Sequence, residues 1–154
     1  MEDIKLSKNF NFFELTRTEN RKYLNENKEE GLKHLETAYK LCDKLLQPIR
    51  DYFGLPLVVH SGFRCLKLNR AVGGSKKSQH LLFQACDFHI LDTELRDVFR
   101  TIRFEIPNLR WGQLILEGWS QGYPSWIHIS LVGDRSPNRC QEVLTFDGEN
   151  YVRL

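Results

Sequence analysis

The sequence lacks an apolar run approaching the ~20 residues that a helix needs to cross a bilayer, so we expect no membrane span. It also lacks a strong excess of either charge. The formal net charge is only +2, which is too small for the basic field that nucleic-acid binding usually requires. The N-terminal sequence MEDIKLSKNFNFFEL has no apolar segment typical of a secretory signal. We therefore expect synthesis in the cytoplasm without a signal peptide.

The cysteines lack any CxxC spacing, which argues against a structural zinc knuckle. There are four of them, namely Cys42, Cys65, Cys86 and Cys140. Without a signal peptide, reduced thiols are expected. Cys86 has two interpretations, a small half-buried side chain or a metal ligand, and the first is the commoner outcome for cysteine.

Apolar residues make up 41% of the 154 residues and charged residues 27%, which is typical of a globular protein. A chain of this length has room for one domain with a real core, but not comfortably for two. We expect a single domain over 1–154, with an N-terminal arm over 1–29 packed on it. The expected oligomeric state is a monomer.

Apolar periodicity and breaker residues predict the order helix, strand, loop, strand, helix, hairpin, hairpin. The ranges are a helix from 30 to about 52, a strand at 55–63, a loop at 67–80, a strand at 84–90, a helix at 93–106, strands at 111–117 and 125–131, and a C-terminal hairpin around Asp147 and Gly148. This order predicts an α+β fold, a small antiparallel β-sheet with flanking helices.

The stretch SQHLLFQACDFHI, residues 78–90, sets possible metal ligands among apolar residues. Alternate residues of a strand face the same side, so Asp87 and His89 share a face. By the same rule, His128 points away from the isoleucines on either side of it. Two imidazoles and one carboxylate are a known way to hold catalytic zinc with a fourth position left open. Without further context, a chance arrangement of His80, Asp87 and His128 is the simpler interpretation.

Several short motifs follow one another along the chain: SGFR at 61–64, LNRAVGGS at 68–75, SQH at 78–80, Asp87 and WIH at 126–128. They resemble the zinc D-Ala-D-Ala carboxypeptidase superfamily, particularly its short single-domain phage and bacterial members, and the likeness spans residues 7–131. That family has a Ser-Gly-Tyr-Arg turn, a Gly-Gly-Ser loop with an upstream asparagine, Ser-x-His with an aspartate seven positions later, and a Trp-x-His strand. The resemblance implies a hedgehog-like and D-Ala-D-Ala-peptidase-like fold.

The resemblance also implies a role for each matching residue. His80, Asp87 and His128 would be the ligands of a Zn²⁺ cofactor. Arg64 would stabilise the oxyanion, because a guanidinium presents several donors and keeps its charge. Glu117 is the candidate general base, which would take a proton from the attacking water and return it to the leaving amine.

Ser78, Gln79 and Trp126 flank these residues and are candidate substrate-binding residues. His89 is expected to support the metal ligands through a hydrogen bond rather than to bind zinc itself. A structural role is the other interpretation for His89, as a salt bridge is for Arg64.

Three positions depart from the family pattern. Many relatives carry an acidic base three residues before the last histidine, where this chain has Ser125. Phe83 replaces a family glycine, and Cys86 replaces an alanine. Phe83 is bulky at a place where backbones are expected to approach closely.

The resemblance implies a zinc metallopeptidase that cuts a peptide bond in the stem peptide of bacterial peptidoglycan, as a D-Ala-D-Ala carboxypeptidase or an endopeptidase. Phage lysis or cell-wall remodelling is the expected setting, with action at the wall after release or as part of a virion. Two alternatives remain open. One is an inactive zinc domain that binds wall peptide or serves in a virion, and the other is a structural protein without metal.

Overall fold

The computed structural model describes residues 1–133, 141–146 and 149–154. Within these ranges the helices are α1 Phe12–Thr16, α2 Leu24–Leu32, α3 Leu35–Leu41, α4 Gln47–Phe53, α5 Leu66–Ala71 and α6 Leu95–Phe104. The strands are β1 Leu57–Ser61, β2 Ala85–Ile90, β3 Gln113–Glu117, β4 Trp126–Ser130, β5 Glu142–Phe146 and β6 Tyr151–Arg153. Short 3₁₀ turns span Arg21–Tyr23 and Gln79–Leu82.

The strands form one sheet in the order β1-β2-β4-β3-β5-β6, with helices packed against it. The expected α+β class is therefore confirmed, and β3 and β4 pair as the expected antiparallel hairpin. One pairing differs from the expected antiparallel sheet, because β5 runs parallel to β3. The C-terminal strands β5 and β6 are antiparallel to each other, while the turn residues Asp147 and Gly148 lie outside the described residues.

The two faces of the sheet have different surroundings. One face belongs to the hydrophobic core, which takes up buried side chains from four neighbouring strands. They include Phe88, Ile90, Leu114, Leu116, Ile127, Ile129 and Val143. Asp87, His128 and Glu117 alternate with these residues, so they lie on the other face. The sequence prediction that His128 points away from the core isoleucines is confirmed.

A long helical segment over residues 35–53 supplies much of the core. Its apolar stripe is fully buried and consists of Ala38, Leu41, Cys42, Leu45, Leu46 and Ile49. A π-turn at Cys42–Leu46 separates α3 from α4. Pro48 is the second residue of α4, and because proline has no backbone N–H it cannot donate the normal helical hydrogen bond there. Gly54, at φ 63°, ends α4 in the left-handed conformation that favours glycine.

Apolar side chains near the N-terminus pack on the core. Phe10, Phe12 and Leu15 are buried, and the backbone oxygen of Leu15 accepts a hydrogen bond from the N–H of Phe63 at 2.8 Å. This contact ties the arm to the turn that follows β1, beside the buried histidine and aspartate.

Two of the predicted boundaries are wrong. The helix predicted from about residue 30 is preceded by α2, which begins at Leu24, and the helical segment is interrupted at residues 33–34. Residues 66–71 form helix α5, although they fall largely in the predicted loop. The pair Gly73 and Gly74 follows this helix and ends it, while Leu68 anchors it in the core.

Cys42, Cys65 and Cys86 are buried free thiols, so Cys86 is more deeply buried than expected. Cys140 lies outside the described residues. In the described part of the chain, no helix has both the length and the apolar character needed to cross a membrane.

Candidate metal centre

His80, Asp87 and His128 converge on one point at the sheet face opposite the core. Asp87 and His128 are direct partners across β2 and β4, and His80 reaches them from the 3₁₀ turn at Gln79–Leu82. Asp87 Oδ1 lies 2.8 Å from His128 Nδ1 and 3.2 Å from His80 Nε2. One ligand atom from each side chain lies within 4.8 Å of the others, and all three residues are buried. Across the described ranges, no other three His, Cys, Asp or Glu side chains converge in this way.

The ring of His80 is held by the turn after β1. His80 Nδ1 lies 2.6 Å from the backbone oxygen of Gly62, which leaves Nε2 facing Asp87. Only glycine fits at position 62, because a Cβ there would lie 2.2 Å from the oxygen of Leu15. The N–H of Arg64 donates to the backbone oxygen of His80 at 3.1 Å, which joins the two segments again. A histidine ligand fixed through its second ring nitrogen is typical of protein metal sites.

The charges in the cluster depend on one another. Burial alone would raise the pKa of the Asp87 carboxyl, but the two neighbouring histidines hold that pKa well below its usual range. Burial alone would lower the pKa of His128, yet its hydrogen bond to Asp87 raises that pKa above its usual value. A buried carboxylate is costly unless a cation or a hydrogen-bond donor compensates it. The donor set of two imidazoles and one carboxylate fits zinc, which prefers nitrogen, sulfur and carboxylate ligands.

Arg64 lies beside the cluster and is partly buried. Its Nη2 donates to Ser78 Oγ at 3.2 Å, while its Nε is buried and has no hydrogen-bond partner in the described part of the chain. Burial lowers the pKa of Arg64, and the negative charges of Asp87 and Glu117 act in the opposite direction. The guanidinium therefore lies within electrostatic reach of both carboxylates.

Ser78 and Gln79 have structural contacts of their own. Ser78 Oγ accepts from the N–H of His80 at 3.3 Å as well as from Arg64, so it caps the turn that carries the histidine. Gln79 Nε2 donates to the backbone oxygen of Leu131 at 3.4 Å. Gln79 Oε1 is buried and has no partner within the described ranges. Their roles in substrate binding remain predictions.

Glu117 ends β3 directly opposite Trp126 on β4. Trp126 Nε1 donates to Glu117 Oε2 at 3.1 Å, and the Tyr151 hydroxyl donates to Glu117 Oε1 at 3.1 Å. The charge of Glu117 also contributes to raising the pKa of His128. Glu117 thus lies near the cluster with both carboxylate oxygens hydrogen-bonded.

Ser125 lies in the connection between β3 and β4 and is exposed. Its Oγ donates to the backbone oxygen of Gly118 at 2.7 Å. At the position where many relatives carry an acidic residue, this chain therefore has a side chain that stabilises the turn.

His89 pairs with a histidine outside the metal cluster. His89 Nδ1 lies 2.7 Å from His60 Nε2, and His60 lies where the pairing of β1 with β2 shifts register. Burial lowers the pKa of His60, and the neighbouring His89 acts in the same direction. The predicted support of the metal ligands by His89 stays a prediction, since its described partner is His60.

Phe83 and Cys86 belong to the core. The Phe83 ring is fully buried and stacks on Phe63 with centroids 5.3 Å apart. Its backbone adopts φ 58°, the left-handed conformation in which a glycine is comfortable. The aromatic ring that replaces the family glycine therefore packs inside the domain rather than over the metal cluster.

Sequence reasoning missed Tyr151 and the pairing of His60 with His89. Tyr151 approaches Glu117 only because β5 and β6 join the sheet beside β3. No local spacing reveals such a contact. His60 does carry a signal, since a histidine directly before the Ser-Gly-Phe-Arg turn is unusual for the pattern.

The family model described as Peptidase M15 matches residues 10–130 of the chain. The match covers most of the chain and includes His80, Asp87, His128, Arg64 and Glu117. Tyr151 lies beyond its end. No curated protein matches the chain.

Proposed function

The chain belongs to the peptidase M15 family, and we propose that it is a zinc peptidase that hydrolyses a peptide bond in the stem peptide of bacterial cell walls. The observation that carries this proposal is the convergence of His80, Asp87 and His128, with one ligand atom from each within 4.8 Å of the others. Family membership supports the reaction class. The support for metal binding comes from the positions of these three side chains in the structure itself.

We assign the metal ligands to His80 Nε2, Asp87 and His128. Peptidases of this family are zinc-dependent. When bound, zinc lowers the pKa of a water molecule and polarises the peptide carbonyl. The chain's own contribution is a buried, pre-oriented donor set, because the backbone oxygen of Gly62 fixes one imidazole and the strand register fixes the other two ligands.

Glu117 is the proposed general base. It takes the proton of the attacking water and returns it to the leaving amine, so a carboxylate with fixed orientation suits the role. Arg64 is the proposed oxyanion stabiliser. The negative charges of Asp87 and Glu117 act on its guanidinium, so this group lies within electrostatic reach of both carboxylates, and a guanidinium presents several donors besides the one that Ser78 accepts.

We propose substrates that contain D-amino acids, such as stem peptides ending in D-Ala-D-Ala, cleaved by carboxypeptidase or endopeptidase action. The motif resemblance at residues 61–88 and 126–128 supports this substrate class. The proposed place of action is the bacterial wall, after release from the cell or in a phage particle.

The test compares the zinc-loaded wild-type chain with Glu117→Gln on purified stem peptides, and mass spectrometry identifies the products. The wild type is expected to cleave, and Glu117→Gln to lose roughly 10²–10⁴-fold in rate, the usual contribution of general acid–base catalysis. Zinc content is expected to be unchanged. Glu29→Gln is the matched control, because Glu29 is an exposed residue on α2.

Equal rates for the wild type and Glu117→Gln would show that Glu117 is not the general base.

A second candidate function is a non-catalytic zinc domain that binds wall peptide, and it predicts no cleavage at all. The observation that favours it is Ser125, which stands where many relatives carry an acidic residue. Its hydroxyl donates a hydrogen bond to the backbone oxygen of Gly118. Tight zinc and wall-peptide binding without cleavage of any stem peptide would favour this candidate.

A further inference from the structure

The carboxylate of Glu117 has one hydrogen-bond donor on each of its oxygens. Trp126 Nε1 donates to Oε2 and the Tyr151 hydroxyl donates to Oε1, both at 3.1 Å. A carboxylate has about four lone-pair positions, so each oxygen can still accept a second hydrogen bond, for example from water. Two donors from different strands thus restrict the rotation of the Glu117 side chain while leaving it able to act as a base.

The second donor comes from outside the family region. Tyr151 belongs to β6, and the family model ends at residue 130. The strand β5 pairs in parallel with β3, and β6 then pairs Tyr151 with Phe146. The ring centroids of Tyr151 and Phe146 lie 5.0 Å apart, and the Tyr151 hydroxyl reaches Glu117 at the end of β3.

The Tyr151 hydroxyl remains a donor over a wide pH range. Tyr151 is 57% exposed, yet partial desolvation raises the pKa of its hydroxyl to about 12, and the charge and hydrogen bond of Glu117 contribute in the same direction. A protonated phenol donates to a carboxylate, and such charge-assisted hydrogen bonds are stronger than neutral ones.

We propose that Tyr151 is a positioning residue for Glu117, and that the C-terminal hairpin of β5 and β6 completes the active site. This inference rests on the proposed function, because it assigns Tyr151 an effect on the base of that reaction. Tyr151 acts through Glu117 and needs no contact with substrate. A general base must lie within hydrogen-bond reach of the proton it takes, so losing one of two restraints lowers the fraction of correctly placed carboxylate.

The first experiment compares zinc-loaded Tyr151→Phe with the wild type on stem peptides. The substitution removes only the hydroxyl and keeps the ring that contacts Phe146. We expect kcat to fall about tenfold with KM unchanged, the effect of losing one hydrogen bond to a charged group.

Tyr52→Phe is the matched control, since Tyr52 is an exposed tyrosine on α4. It is expected to leave both kcat and KM unchanged. A kcat for Tyr151→Phe equal to that of the wild type would overturn the positioning role while leaving the proposed function intact. A wild-type chain that contains zinc and cleaves no stem peptide would overturn the function, and with it the positioning role.

A second readout needs neither zinc nor substrate. A double-mutant cycle in the metal-free chain combines Tyr151→Phe with Glu117→Ala and measures the free energy of unfolding. Non-additive effects are expected, because each substitution removes the same hydrogen bond. Additive effects would show that the two side chains do not interact in solution and would overturn the proposal.

Discussion

At the scale of single residues, Phe83 combines a backbone strain with a large gain from burial. Its φ of 58° is unfavourable for a residue with a side chain, and the cost of a left-handed residue other than glycine is about 1 kcal/mol. The ring is fully buried between Phe12 and Phe63, and deleting a buried phenylalanine side chain costs about 3–5 kcal/mol. Burial therefore outweighs strain at this position.

We predict that Phe83→Gly destabilises the chain by about 2–4 kcal/mol, even though it restores the family residue. The measurement is the free energy of unfolding in urea. Gln121→Gly is the matched control, because Gln121 also has a positive φ, 49°, but is exposed. It is expected to be neutral or to stabilise by up to about 1 kcal/mol. A stabilising effect of Phe83→Gly would contradict the packing described for the ring.

The side chains that converge on the metal centre could be predicted from the sequence, but their supporting contacts could not. The motif resemblance names the three ligands, and strand alternation turns Asp87 and His128 each away from its apolar neighbours, but their direct pairing depends on the register of β2 with β4. The contact of Tyr151 with Glu117 depends on which strand pairs with β3. The contact of His80 with the oxygen of Gly62 depends on a close approach of two loops. Such details arise from tertiary packing and leave no periodic signal.

At the scale of elements, the turn between β3 and β4 determines where Glu117 and Trp126 meet. Gly118 follows Glu117 with φ 70°, and a Cβ at this position would lie 2.4 Å from the Trp126 ring. Gly122, in the same connection, has φ 83° and open space around it. The positive φ at both positions favours glycine. Only at Gly118 would an added Cβ also collide with the Trp126 ring.

We predict that Gly122→Ala costs about 1 kcal/mol of stability from backbone strain alone. Gly118→Ala is expected to cost more and to lower kcat, because the Trp126 ring must move and its hydrogen bond to Glu117 is disturbed. Unfolding in urea and stem-peptide cleavage measure the two effects. If both variants lose activity equally, the Trp126 contact is not the cause.

Most elements of the fold could be predicted, because β1 to β4 and α6 have clear apolar patterns and breakers. The sequence predicts a loop where α5 lies, because Gly73 and Gly74, which follow the helix, are typical of a loop. The parallel pairing of β5 with β3 was missed for another reason. Two short strands in sequence favour a hairpin meander, and the order of strands at a sheet edge is a choice that local patterns do not encode.

At the scale of the whole molecule, zinc binding is expected to be linked to folding. His128 lies 41 residues after Asp87 in the chain, so the unfolded chain has no preformed site, and binding stabilises the folded state. With zinc at about 100 times its Kd, the gain is about 2.7 kcal/mol. For a chain of this size, that corresponds to a Tm rise of roughly 5–10 °C.

We predict this rise for the wild type on adding zinc, and its loss on adding a chelator, both measured by thermal unfolding. Asp87→Asn is expected to show little or no rise, because a neutral amide replaces the charged ligand. Asp97→Asn, at an exposed position on α6, is the control. The effect is expected to weaken as pH falls, because protons compete for the imidazoles. An equal rise in Asp87→Asn would mean that zinc binds elsewhere.

The direct pairing of Asp87 with His128 across β2 and β4 makes the metal centre dependent on strand alignment. Sliding β4 by one residue relative to β2 would turn His128 into the hydrophobic interior and bring an isoleucine to the ion. Inserting one residue between Trp126 and His128 is therefore expected to abolish zinc uptake. An insertion in the open part of the preceding connection, near Gly122, leaves the alignment intact. The metal centre is thus expected to tolerate a change in the length of that connection, but not a change in the spacing within β2 or β4.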